Sequence, residues 1–174
     1  MKVVLYPLLV PVFAALVFSL FSLLPSAHAA GSGFELAEKE PSQSVQLYNQ
    51  GVEHMMAKRF PAAEQKFRDA LALDDKFSKA HNNLAYSLRK QGKTFYGEAL
   101  FHYSRAIQLS PKLSEAYMYR GVLFIQMGNK QKALADHDVL LEMDQALATE
   151  LAYVVEHGKE KEPEQFFGVS GAIE

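Results

Sequence analysis

The sequence predicts an all-α fold, a stack of three helical hairpins, and three observations carry that prediction. A set of residues recurs every 34 to 36 positions, its apolar members stand at helical intervals, and turn residues fall where helices must end. The recurrence is found by aligning Gly51, Ala85 and Gly121. Four places earlier stand Leu47, His81 and Tyr117, and three places later His54, Leu88 and Phe124. Further along, Ala63, Ala99 and Ala133 are each followed after four residues by a ring, Phe67, Tyr103 and His137. Seven residues past the alanines come Ala70, Ala106 and Leu140. One hairpin cannot bury its apolar side alone, so copies must lean on one another.

The first segment, 1–29, reads as a secretory leader. Lys2 precedes a run without charge from Val3 to Leu24, and Ala27-His28-Ala29 fits a small-x-small cleavage site. The alternative is an uncleaved membrane anchor, since the run reaches spanning length. Pro7, Pro11 and Pro25 and the Ala-His-Ala ending favour cleavage. The chain is therefore expected to be exported, with the periplasm the first expectation and an inner-membrane tether the alternative. There is no cysteine, so packing alone has to hold the fold and a lipoprotein anchor is excluded.

Residues 30–43 read as a flexible lead-in, and 44–147 as the repeat domain, divided 44–77, 78–113 and 114–147. Helices are expected near 43–57, 61–73, 78–91, 97–109, 114–127 and 131–143. Lys58, Gly92 and Gly128 occupy one register position just past each first helix, where a left-handed residue ends the turn. Pro61 suits the first turn of a helix, and Pro111 closes the second copy. From Ala85 to Ala99 is fourteen residues where the other copies have twelve, which places a two-residue insertion near Thr94-Phe95. A turn tolerates that insertion, whereas a packed helix would rotate its apolar face out of place. Phe95 on this turn reads first as a partly buried turn residue, the alternative being an exposed second contact. A capping helix is expected over 148–158, with Leu147, Leu151, Val154 and Val155 on one face, followed by a loose tail, 159–174.

The spacing resembles the tetratricopeptide repeat (TPR) family. It is carried by Leu47-x2-Gln50-Gly51-x2-His54 with Ala63-x3-Phe67, His81-x2-Leu84-Ala85-x2-Leu88 with Ala99-x3-Tyr103 and Pro111, and Tyr117-x2-Arg120-Gly121-x2-Phe124 with Ala133-x3-His137. Asp75 and Gln145 stand where the other two copies would carry the family's terminal proline. The resemblance implies a right-handed α-solenoid whose first helices line a concave groove for a peptide or helix of another protein. By that analogy the groove residues are Tyr48, Asn49, Asn82, Asn83, Tyr86, Arg89, Met118 and Tyr119. An asparagine can hold a peptide backbone through donor and acceptor together, and Tyr and Met supply adaptable contact area. Some family members clamp a partner's terminal carboxylate with a lysine, asparagine and arginine set. Asn83 matches its asparagine, but Tyr48 and Met118 replace the basic positions, so that clamp is absent.

Catalytic chemistry is not expected. No phosphate loop, His-Glu-x-x-His, cysteine pair or Gly-x-Ser-x-Gly elbow occurs, and no cofactor, metal or small-molecule substrate is implied. Gly168-Val169-Ser170-Gly171 approaches the elbow but follows no strand. Asp136-His137-Asp138 looks like a cluster, yet consecutive helical residues point apart and His137 takes the ring position of the repeat. His54 and His81 fall on packing positions. With 18 basic against 20 acidic residues, one basic residue lying in the leader, the chain has no footprint for nucleic acid. A membrane enters only if the leader is retained. The function expected is an envelope adaptor or scaffold, the alternative an assembly factor or accessory subunit of an envelope enzyme or secretion complex.

Overall fold

The computed structural model describes residues 41–161 and 170–173. The expected leader, the lead-in as far as residue 40, and 162–169 with Phe166-Phe167 lie outside the described residues. Every regular element among the described residues is helical: α1 Gln43–Met56, α2 Phe60–Leu73, α3 Ser78–Gln91, α4 Tyr96–Leu109, α5 Ser114–Gln126, α6 Lys130–Met143 and α7 Gln145–His157. A 3₁₀ turn, Lys93–Phe95, precedes α4 and takes up the insertion read from the spacing.

Helices α1 and α2, α3 and α4, and α5 and α6 pair as hairpins, and α2 on α3 and α4 on α5 join one hairpin to the next. Helix α7 packs on both α5 and α6 and closes the end of the stack. It begins at Gln145 rather than at 148, because the Asp144 carboxylate accepts from the amides of Ala146 and Leu147 and so caps it there. Asn129 caps α6 in the same way through Lys132 N–H, and Pro61 stands in the first turn of α2.

The largest fully buried side chains run along the whole stack: Tyr48, Phe67, Tyr86, Tyr103, Tyr119, Leu140 and Leu151. Two glycines permit this packing. A Cβ on Gly51 would lie 2.5 Å from the Phe67 ring, and one on Gly121 would lie 2.5 Å from a Leu151 methyl. The register position past each first helix has a positive φ in all three hairpins, 57° at Lys58, 119° at Gly92 and 77° at Gly128. Lysine thus adopts there a conformation that costs a side chain something and glycine almost nothing.

Helix α3 is buried on every side from Ala80 to Arg89, since helices flank it and a tail segment crosses its open face. At Phe95 the first reading holds over its alternative, and at the tail the expectation is corrected. Phe95 is not an exposed contact but a partly buried residue packed against the main core. The tail is not loose throughout, because Ser170–Ile173 and Glu160 are held by the groove helices. The tail's pattern is too short to register as an element, so composition alone made it look solvated.

Candidate peptide-binding groove

Helices α1 and α3 present a row of polar side chains along an otherwise apolar surface, and the row holds an extended stretch of the chain's own C-terminal segment. Asn83 on α3 donates from Nδ2 to the carbonyl of Ser170 (2.7 Å) and accepts at Oδ1 from the amide of the same residue (3.0 Å). At the same register position on α1, Asn49 repeats the arrangement on Ile173, donating to its carbonyl (2.6 Å) and accepting from its amide (2.8 Å). Between them the Tyr48 hydroxyl shares its proton between the carbonyls of Ser170 (2.8 Å) and Gly171 (2.7 Å). Asn83 Nδ2 also donates to that hydroxyl (3.2 Å). Burial pushes the Tyr48 phenol up, against the lowering pull of Asn83, so it stays a protonated donor.

Every one of these bonds to 170–173 falls on main-chain atoms, so the groove reads an extended backbone with small residues against it. Ser170 is only 2% exposed, and its own hydroxyl is buried without a hydrogen-bond partner. Space, rather than a hydrogen bond to the side chain, selects for a small residue there.

Arg89 ends the row near the C-terminus of α3. Its guanidinium lies 5.2 Å from the Tyr86 ring centre and 5.0 Å from that of Tyr119. It binds both carboxylate oxygens of Glu160, at 2.8 and 3.1 Å. Burial opposes its charge, but Tyr103 and Glu160 outweigh burial and hold its pKa above the usual value. A planar cation between two rings, aimed along the groove, is a built receptor for one carboxylate.

The eight residues expected to form the site fall into two sets. Tyr48, Asn49, Asn83 and Arg89 touch the tail segment. The other four stand behind them. Asn82 donates to the Asn83 side chain (3.2 Å), and Tyr86 and Tyr119 pack ring to ring (4.9 Å) beneath Arg89. Met118 is buried within the main apolar cluster. Sequence reasoning missed Glu160, Ser170 and Ile173 as occupants of the groove. The one trace was the small-residue run Gly168-Val169-Ser170-Gly171.

No protein-family model matches the chain. A stretch of 74 residues, 42% of the chain, is 36% identical to human Tetratricopeptide repeat protein 6, and spans 14% of that protein's length. Among solved structures, the TPR2B domain of yeast Sti1, solved as a pHsp70 complex, superposes with a TM-score of 0.60 at 18% identity. The match covers 68% of this chain and 100% of that one. The type III secretion chaperone SycD of Yersinia enterocolitica, in complex with a peptide of the translocator YopD, gives a TM-score of 0.60 at 18% identity. That match covers 67% of this chain and 92% of the other. The fold is a TPR solenoid.

The TPR scaffold also carries two polar arrangements away from the groove. His81 on α3 and His102 on α4 meet through their Nδ1 atoms (2.8 Å), with rings stacked at 5.1 Å. They stand 21 residues apart, a pairing that no helical spacing reveals. They border an open cavity of about 290 Å³ with Arg68, Leu71, Asp75 and Leu84. Burial, then the neighbouring His81, pushes His102 down to about 4, and burial lowers His81 as well, so both are neutral near pH 7. Among the described residues no group of three or more His, Cys, Asp or Glu could hold a metal ion.

Midway along the third hairpin, Arg120 on α5 grips the Asp136 carboxylate on α6 with two bonds, at 3.0 and 2.6 Å. Burial raises Asp136 against the opposing pull of Arg120. Asp136 of the Asp-His-Asp run is thus a buried brace between helices, while Asp138 points outward. Such a brace fixes the hairpin geometry; removing one partner would strand a buried charge.

Proposed function

We propose that this chain is a protein-interaction adaptor or scaffold of the cell envelope, which holds an extended segment of a partner protein in its concave groove. One observation carries the reading: Asn83 and Asn49 each exchange two hydrogen bonds with the main-chain N–H and C=O of a single residue, Ser170 and Ile173, three residues apart along the segment. Such paired amides recognise a main chain, which only another polypeptide supplies in that form. The solved TPR structures in complex with pHsp70 and with a YopD peptide support a protein as the ligand class. The leader-like run at 3–24 and the Ala-His-Ala site support the envelope as the place of action, with the periplasm preferred over an inner-membrane tether.

The decisive experiment is affinity capture from the envelope fraction with the natural chain and with Asn49→Ala plus Asn83→Ala. The double variant keeps its helical circular dichroism and loses the captured partner. Undiminished capture by the variant overturns the groove as the binding face. N-terminal sequencing of the purified chain places it: a mature terminus at Ala30 supports export with cleavage, and Met1 in the membrane pellet supports the tethered assembly factor.

A further inference from the structure

Resting on the reading of the groove as a peptide site, we propose that the C-terminal segment is its built-in occupant, which a partner segment of the same chemistry must displace. That chemistry is an extended chain with small residues at the places of Ser170 and Gly171 and a carboxylate about ten residues before them, where Glu160 stands.

Two separate points of attachment support this. Glu160 occupies the Arg89 receptor, and Ser170–Ile173 occupies the Asn83, Tyr48 and Asn49 row. The direction of the chain is fixed by the pairings, Ser170 on α3 and Ile173 on α1, so the segment runs back from the second hairpin toward the first. The tail therefore covers the same polar groups that a partner needs.

The attachment is also replaceable by construction. All the hydrogen bonds from the groove to 170–173 go to backbone atoms, so another extended chain can make the same set. The Ser170 hydroxyl is buried and unanswered, which makes this tail a less than optimal occupant and leaves a partner with alanine or glycine there an advantage. Tethering works the other way. A short connection gives the tail an effective concentration of about a millimolar, so a free segment competes at a disadvantage until the tail lets go. The groove is then accessible only in the fraction of molecules whose tail is released, and apparent affinity falls by that fraction.

The test uses a labelled synthetic peptide of residues 158–174 and its E160Q counterpart, with binding followed by fluorescence anisotropy. Three proteins are compared: the natural chain, a tail-released full-length variant carrying E160Q, S170P and I173P, and that variant with Asn49→Ala and Asn83→Ala. Proline at 170 and 173 removes the two amides that the asparagines accept from and leaves every groove side chain in place. The tail-released variant binds the peptide at least about tenfold more tightly than the natural chain. The E160Q peptide binds it about tenfold more weakly than the natural peptide, and the asparagine changes abolish binding. Equal affinity for natural and tail-released chains, or no binding by either while helicity is intact, overturns the proposal. If partner capture still depends on Asn49 and Asn83 in that case, the groove reading stands and only the tail's role falls.

Discussion

The first and third hairpins share a register and divide the labour. In the first, α1 turns Tyr48 and Asn49 toward the groove, and both hold the tail segment. In the third, the equivalent turn of α5 carries Met118 and Tyr119, which are buried with the core. The glycines of the two copies differ in the same sense. Gly51 makes room for Phe67 of its own hairpin, whereas Gly121 makes room for Leu151 of α7. One end of the stack is thus arranged for recognition and the other for closure. A repeat scaffold permits this because each copy needs only its small-residue and ring positions to pack, which leaves the outward positions to vary.

The contrast can be broken most severely at the closed end. Leu151→Ala removes a fully buried side chain from the lid on Gly121 and costs about 3 kcal/mol, measured by urea denaturation. The groove residues of α1 are untouched by that change, so any surviving folded fraction still binds peptide.

The two glycines sharpen the comparison next. Gly51→Ala drives a Cβ into the stiff Phe67 ring and destabilises by about 2 kcal/mol. Gly121→Ala meets only the flexible end of Leu151 and recovers helix propensity, so it falls within about 1 kcal/mol of the natural chain. Equal losses at the two sites, read by thermal melts, would show that the hairpins are packed alike after all.

The middle hairpin supplies a pH dependence of opposite sign to that of Asp136 in the third. Both His81 and His102 have pKa values lowered in the folded chain, so the unfolded chain takes up protons first as the pH falls. Their contribution is complete above an ordinary histidine's pKa of about 6.5 and is lost as pH drops below it, through about 4 for His102. The surroundings modify this without reversing it, with Arg68 and Arg105 opposing protonation and Asp74, Asp75 and Glu98 favouring it. Denaturant midpoints at pH 7 and pH 5 differ in the natural chain, and the difference shrinks in His102→Phe.

The smallest effect is a gain. Lys58 occupies the positive-φ position that the second and third hairpins give to glycine. Lys58→Gly therefore stabilises the first hairpin by about 0.5–1 kcal/mol, seen as a rise in melting temperature.

Much of the architecture was legible before any coordinates, and the particular helices show why. The expected α3 boundaries, 78–91, coincide with Ser78–Gln91, and the turn insertion near Thr94-Phe95 is the 3₁₀ turn Lys93–Phe95. These are local matters: apolar spacing, a glycine after the last turn and a count between equivalent alanines. Asn83 and Tyr48 were legible as groove residues through the register together with the family resemblance. That Met118 and Asn82 stand back while Asn49 reaches the tail was not, because the register gives a position and not a contact.

The sequence by itself determined the helices, their turns and the repeat that stacks them, since each depends on residues within one or two turns of one another. Only the tertiary structure decided what lies in the groove, which faces are sealed and which histidines meet. Ser170 reaches Asn83 across 87 positions and Tyr48 across 122, and no period in the chain records such a pairing. Those contacts pair asparagine and tyrosine side chains with main-chain amides and carbonyls, and every residue carries the same backbone groups, so nothing in the tail's own sequence marks it as the occupant.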